Sequence, residues 1–82
     1  MIVILFFSRL ADIAATRRLE TPLPDDGLSL FALRDEVFAD AMAHKNLERE
    51  AIRMSVNQLV VRDDRPLQDG DEVAFFSVFS GG

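Results

Sequence analysis

Few residues in this chain have the types and spacing that chemistry demands. There is one histidine, His44, and no cysteine, so thiolate catalysis, disulfides and Cys-based metal sites are excluded. His44 lies near the end of a predicted helix, where an imidazole serves as a surface residue or a favourable C-terminal charge. Two pairs of carboxylates stand close in sequence, Asp63-Asp64 and Asp69 with Asp71. Both fall among turn-forming residues, where Asp side chains usually bond their own backbone. No metal site is expected from them. Gly27 and Gly70 stand alone in turns and build no phosphate-binding loop.

What remains is Gly81-Gly82 at the end of the chain. Two residues without side chains can thread a narrow channel and present a terminal carboxylate to a buried site. A carboxylate is inert until activated. Adenylation converts it into a mixed anhydride with a good leaving group, open to attack by a sulfur nucleophile. Such a dipeptide can equally be a frayed end with no role. The residues alone leave both readings open.

The elements that must position this tail follow from composition and periodicity. The chain has 82 residues, 49% apolar and 28% charged, which fits one globular domain without room for a second core. A chain this short buries only roughly 60% of its unfolded surface, so its core must be economical. Lys and Arg total 9 against 14 Asp and Glu, for a net charge of −5. With no basic stripe, neither nucleic acid nor an anionic membrane is an expected partner. The apolar start, Met1 to Phe7, is too short for a membrane span and lacks the basic flank of a signal peptide. The cytoplasm is the expected location.

Ile2 to Phe7 is a continuous apolar run, as in a central strand covered on both faces. Ser8 is placed to cap a short helix carrying Leu10, Ile13 and Ala14 on one face. Arg18 to Leu23 alternates, and Pro22 restricts it to a sheet edge. Pro24 to Gly27 reads as a turn. Ser29 begins the main helix, predicted to run to about His44 and to end at Lys45-Asn46. Its stripe is Leu30, Leu33, Val37 and Ala41, widened by Phe31, Phe38 and Met42. Arg53 to Val56, a turn at Asn57-Gln58, and Leu59 to Val61 form a hairpin. A polar loop covers residues 63–71, and Glu72 to Phe76 is the last strand.

One amphipathic helix must cover a sheet face, with the two most apolar strands, first and last, as central neighbours. The predicted class is α+β. It is a β-grasp, or ubiquitin-like, roll: a mixed five-stranded sheet packed on one main helix plus a short helix. One domain is expected over residues 1–82, with 77–82 as a flexible C-terminal tail.

Several blocks carry a family resemblance: Ile4-Leu5-Phe6-Phe7, Val56-Asn57-Gln58, the run from Pro66 through Asp69-Gly70-Asp71-Glu72 to Phe76, and Ser80-Gly81-Gly82. On these the chain resembles the small-subunit family of molybdopterin synthase, within the sulfur carriers that include the thiamine-pathway carrier. The resemblance implies a β-grasp fold and a non-catalytic, sulfur-donating role within a sulfurtransferase complex. An ATP-dependent adenylating enzyme of the ubiquitin-activating type would activate the Gly82 carboxylate, and sulfur would replace one oxygen. The thiocarboxylate tail would enter the large synthase subunit, in a heterotetramer, and pass sulfur to cyclic pyranopterin monophosphate. No cofactor is expected on the carrier itself, since ATP belongs to the activating enzyme. One departure is clear: Ser77-Val78 stands where the family usually has two prolines, a stiffer exit.

Strand alternation points Ile2, Ile4 and Phe6 toward the helix and Val3, Leu5 and Phe7 away; likewise Val73 and Phe75 point in, Ala74 and Phe76 out. Phe7 and Phe76, with Leu59 or Val60 nearby, would form a docking patch beside the tail. From the residues alone, loops could equally cover this face; the resemblance implies docking through it, and so partner contacts from Phe7, Leu59, Val60, Phe76, Phe79 and Ser80, with Gly81 and Gly82 in the reacting tail. The same fold also serves protein modifiers joined to lysines through a terminal glycine, carriers for other pathways, and interaction modules whose glycines are incidental.

Overall fold

The chain is described by a computed structural model covering residues 1–44 and 47–77. Val78, Phe79, Ser80, Gly81 and Gly82, and the proposed helix end at Lys45-Asn46, lie outside the described residues.

Five strands form one mixed sheet: β1 (Ile2–Phe6), β2 (Arg18–Thr21), β3 (Ile52–Val56), β4 (Leu59–Val61) and β5 (Glu72–Ser77). Their order is β2-β1-β5-β3-β4. The two apolar end strands are the central neighbours, as their composition requires. β1 and β5 run parallel, with Ile4 opposite Val73 and Phe6 opposite Phe75. The other pairings are antiparallel. Ser77, assigned from sequence to the tail, is instead the last strand residue, opposite Ile52.

The helices are α1 (Arg9–Ala14), α2 (Leu30–Val37) and α3 (Ala39–Ala43), with a 3-10 turn at Arg49–Ala51 that the periodicity did not show. The single long helix expected from Ser29 to His44 is thus interrupted at Phe38, where φ is −105° and ψ 18°. The cause lies in the core. Phe38 is buried between Phe6 and Phe75, edge-on to both at centroid distances of 5.8 and 5.2 Å. Phe6 and Phe75 themselves lie 5.9 Å apart. Such aromatic pairs add ~0.5–1.5 kcal/mol each beyond the area they bury. Phe38 therefore belongs to the centre of the stripe, with Leu30 and Leu33, whereas Val37 and Ala41 are only half-buried.

The start of α2 is held from two directions. The Ser29 hydroxyl accepts from Ala32 N, the predicted cap. The 63–71 loop supplies the rest: Asp64 Oδ1 accepts from Phe31 N, and the Arg65 carbonyl accepts from Leu30 N. The three first-turn donors that the helix leaves open are satisfied. The predicted turns also form. Gly27 N donates to the Pro24 carbonyl, and Asn57 and Gln58 both take positive φ, 52° and 71°, as the tightest hairpin turns demand.

Ser8 departs from expectation. It precedes α1 but makes no side-chain capping bond, and its φ of 53° with ψ of −131° is a glycine conformation. Leu10 N donates to the Phe7 carbonyl, closing a turn whose first central residue is Ser8, the position type II′ turns reserve for glycine. Strain at such a position is ~1–3 kcal/mol, partly offset in a glycine variant by a freer unfolded chain. Ser8→Gly is expected to stabilise the domain by ~1 kcal/mol, raising the melting temperature by roughly 4–8 °C. A lower midpoint in urea or heat would show that Ser8 makes a contact worth more than its strain.

Candidate functional site

The sheet has one face packed on the helices and one turned away. On the turned-away face, strand register sets the neighbours. Leu5 lies opposite Ala74, Ala74 opposite Ser55, and Ser55 opposite Val60. The middle of this row is small and buried, Ser55 and Ala74 at 8% and 9% exposure. Its outer member, Val60, is 62% exposed. One step toward the C-terminal end of β5, Phe76 lies opposite Arg53. Phe7 N donates to the Phe75 carbonyl, so the parallel pairing continues and brings Phe7 alongside Phe76. Phe7 is 49% exposed and Phe76 half-buried.

The structure thus brings Phe7, Phe76 and Val60 onto one face. It places Leu59 elsewhere. Leu59 lies opposite Val56, whose side chain is buried on the helix side, so it projects toward that side at the open hairpin edge, 65% exposed. Hairpin register decides between the two neighbours, and it was not readable from an apolar triplet. Phe79, Ser80, Gly81 and Gly82 lie outside the described residues. The chain reaches them from Ser77, one residue beyond Phe76 on the same strand.

The acidic loop is structural. Asp71 accepts from Gln68 N and from the Asn57 side chain, whose own oxygen accepts from Glu72 N. Asp69 pairs with the Met1 ammonium, while Gly70 N donates to the Met1 carbonyl. Gly70 has a φ of 90°, which explains a glycine between these two aspartates. This block fixes β5 against β1 and the β3–β4 turn. His44 closes α3, with Nδ1 2.7 Å from the Asp40 carbonyl oxygen. Among the described residues there is no group of three or more His, Asp and Glu able to hold a metal ion, and no helix long and apolar enough to cross a membrane.

A second feature escaped the sequence reading. Arg34, on the helix, is buried at 7% exposure. Its guanidinium lies 4.2 Å from the Phe31 ring centre, and its Nε donates to Asp35 Oδ1 at 2.9 Å. The same oxygen accepts from Arg49 Nε at 3.2 Å. A charge within an apolar helical run is the only signal that could have marked Arg34, since long side chains usually snorkel out. The Arg34 hydrogen bond is the main cause that holds the Asp35 carboxyl below its ordinary value of 3.8; the charges of Arg34 and Arg49 add to it, against some desolvation.

Comparison with known proteins gives the setting. The ThiS family profile matches residues 4–82. The chain is 38% identical to the molybdopterin synthase sulfur carrier subunit of Escherichia coli (strain K12), covering 100% of both proteins. Two solved structures share the fold. SAMP1 of Haloferax volcanii matches at a TM-score of 0.75 and 20% identity, over 99% of this chain and 98% of that one. The small archaeal modifier protein 1 of Methanosarcina acetivorans matches at 0.71 and 21%, over 99% and 95%. At these identities the structures speak for the ubiquitin-like β-grasp alone.

The Asp35 cluster predicts a pH dependence. A carboxyl whose folded pKa lies below its unfolded value contributes stability that is complete above the unfolded value and lost as pH falls through the folded one. Unfolding midpoints should therefore fall on acidification below the ordinary 3.8. Asp35→Asn should make that fall shallower and lower stability at neutral pH. Parallel curves for the two proteins would mean that the Asp35 bonds carry no net stability.

Proposed function

The chain belongs to the ThiS family, and from that premise we propose that it is the sulfur carrier, or small subunit, of a molybdopterin synthase. The observation that carries this reading is the full-length likeness to a molybdopterin synthase sulfur carrier subunit. The sheet supports it. A pair of aromatics, Phe7 and Phe76, sits where β5 hands the chain on toward Gly81-Gly82.

The chemistry is carried by the terminal carboxylate. At an ATP-dependent adenylating enzyme, the Gly82 carboxylate attacks the α-phosphorus of ATP and pyrophosphate leaves. The acyl adenylate then accepts a sulfur nucleophile at its carbonyl carbon, and AMP departs. The resulting thiocarboxylate enters the large synthase subunit, where its sulfur bonds to cyclic pyranopterin monophosphate and water then cleaves the acyl–sulfur bond, returning the Gly82 carboxylate. Glycines at 81 and 82 let the reacting end thread a narrow passage. The bases and cations that assist each step belong to the partners; this chain supplies the reacting atom and a docking face. The working assembly is a heterotetramer with the large subunit, in the cytoplasm, and the carrier needs no cofactor of its own.

Docking falls to the turned-away face. Phe7, Val60 and Phe76 form its apolar surface, with Leu59 at the hairpin edge and Phe79 and Ser80 along the tail. Large aromatics within such a surface act as anchors, each worth ~2 kcal/mol or more on truncation. A protein modifier shares the β-grasp, so fold likeness does not separate the two roles. A ladder of conjugates through Gly82 would mark the modifier.

Two variants divide docking from chemistry. Deleting Gly82 should abolish sulfur transfer to the pterin while leaving affinity for the large subunit within about twofold. Phe76→Ala should weaken binding to both the large subunit and the activating enzyme by roughly thirtyfold or more, for a stability cost of ~2 kcal/mol. Transfer by the truncated chain would rule out the tail mechanism. Reduced stability with unchanged affinity for the Phe76 variant would remove the docking assignment.

A further inference from the structure

We infer that a groove at the β3–β4 edge of the sheet is a docking site for an extended acidic segment of a protein partner. The groove has a volume of about 360 Å³. Among the described residues, four basic side chains line it, namely Arg34, Arg49, Arg53 and Arg62, but a single acidic one, Glu50. In a protein of net charge −5 this is a local reversal of sign. It draws single arginines from α2, the 3-10 turn, β3 and the residue after β4, so no charge run betrays it.

The arginines are arranged to take further carboxylates. Asp35 binds both Arg34 and Arg49 through their Nε atoms. The terminal nitrogens of those two guanidiniums have no hydrogen-bond partner among the described residues, and neither side chain of Arg53 or Arg62 has one. Guanidinium groups favour planar, paired contacts with carboxylates. Arg34 is held by Phe31 and Asp35, so little side-chain freedom remains to be lost on binding.

The backbone favours an extended ligand over a small anion. β4 pairs only with Met54, Ser55 and Val56, whereas β5 pairs with all of β3 from Ile52. The Ile52–Arg53 stretch is thus paired on one side only. An apolar floor, Ile52, Met54 and Val61, lies between the arginines. A segment alternating acidic and apolar residues matches both features: alternate side chains reach the guanidiniums and the floor. Val60 and Phe76 border the groove as well. Continuity with the docking face rests on the sulfur-carrier reading; affinity of the groove for an acidic segment does not.

The test uses the full chain and a short, end-blocked peptide alternating glutamate and valine, with its lysine counterpart and inorganic phosphate as controls. The glutamate peptide should bind and shift the backbone amides of Ile52 to Met54 and Arg62. Arg53→Glu with Arg62→Glu should weaken it at least about tenfold. Arg17→Glu with Arg18→Glu, an equal charge change at the far sheet edge, should leave affinity within about twofold, and urea unfolding should show both variants folded. Absence of glutamate-peptide binding would overturn the inference. So would equal weakening by the two charge reversals, which means diffuse attraction. Phosphate competing at the same amides while the peptide does not bind would make this a small-anion site and overturn it too.

Discussion

The fold hangs on one parallel pairing, β1 against β5, clamped by three phenylalanines. Phe6 and Phe75 face each other across the two strands, and Phe38 comes down on both from the helical side. All three are essentially removed from solvent. A parallel pair cannot be made by a hairpin, so its two strands come from opposite ends of the chain and everything else is the connection between them. Losing a buried phenylalanine costs ~3–5 kcal/mol. A domain of this size is held by only ~4–12 kcal/mol in total. The clamp is therefore a large part of what makes the sheet exist.

That constraint also sets the functional geometry. Because Phe6 and Phe75 point inward side by side, their successors Phe7 and Phe76 must point outward side by side. The same strand ends at Ser77, from which the sequence continues to Gly81-Gly82. Core and proposed docking face are thus two sides of one registered pair. A one-residue slip would exchange them, and the 68–71 turn opposes slippage by tying Met1, Asn57 and Asp71 together. Interrupting the helix at Phe38 is the accommodation that lets the third ring reach its place. α2, with Arg34 on it, lies beside the open edge of β3.

Much of this could be read from residue types. Ile2 to Phe7 declared a central strand because every position is apolar, but not one covered on both faces: only Ile2, Ile4 and Phe6 are buried, while Val3 and Leu5 are half-buried and Phe7 is exposed. Asn57-Gln58 declared a turn because little else fits between two apolar runs. Ser29 was legible as a cap, but its helper Asp64 was not, since it comes from a loop more than thirty residues away. The unread features share that cause: they depend on tertiary contact. Periodicity cannot show that Phe38 leaves the helical path, that Arg34 stays inside on Phe31 and Asp35, or that Ser8 accepts a glycine conformation. Nor can composition show four arginines converging in an acidic chain. The strand pattern placed Phe7 and Phe76 on the outer face, while the choice between Leu59 and Val60 needed the hairpin register.

The proposed sulfur transfer stands or falls on whether the Gly82 carboxylate becomes the sulfur-bearing group. It is tested most directly by intact-mass analysis of the purified chain after incubation with its adenylating enzyme, ATP and a sulfide source. The expected result is a rise equal to the difference between one sulfur and one oxygen atom, dependent on ATP and located in the C-terminal fragment. An unchanged mass, with the enzyme shown to be active on a known carrier, would contradict it.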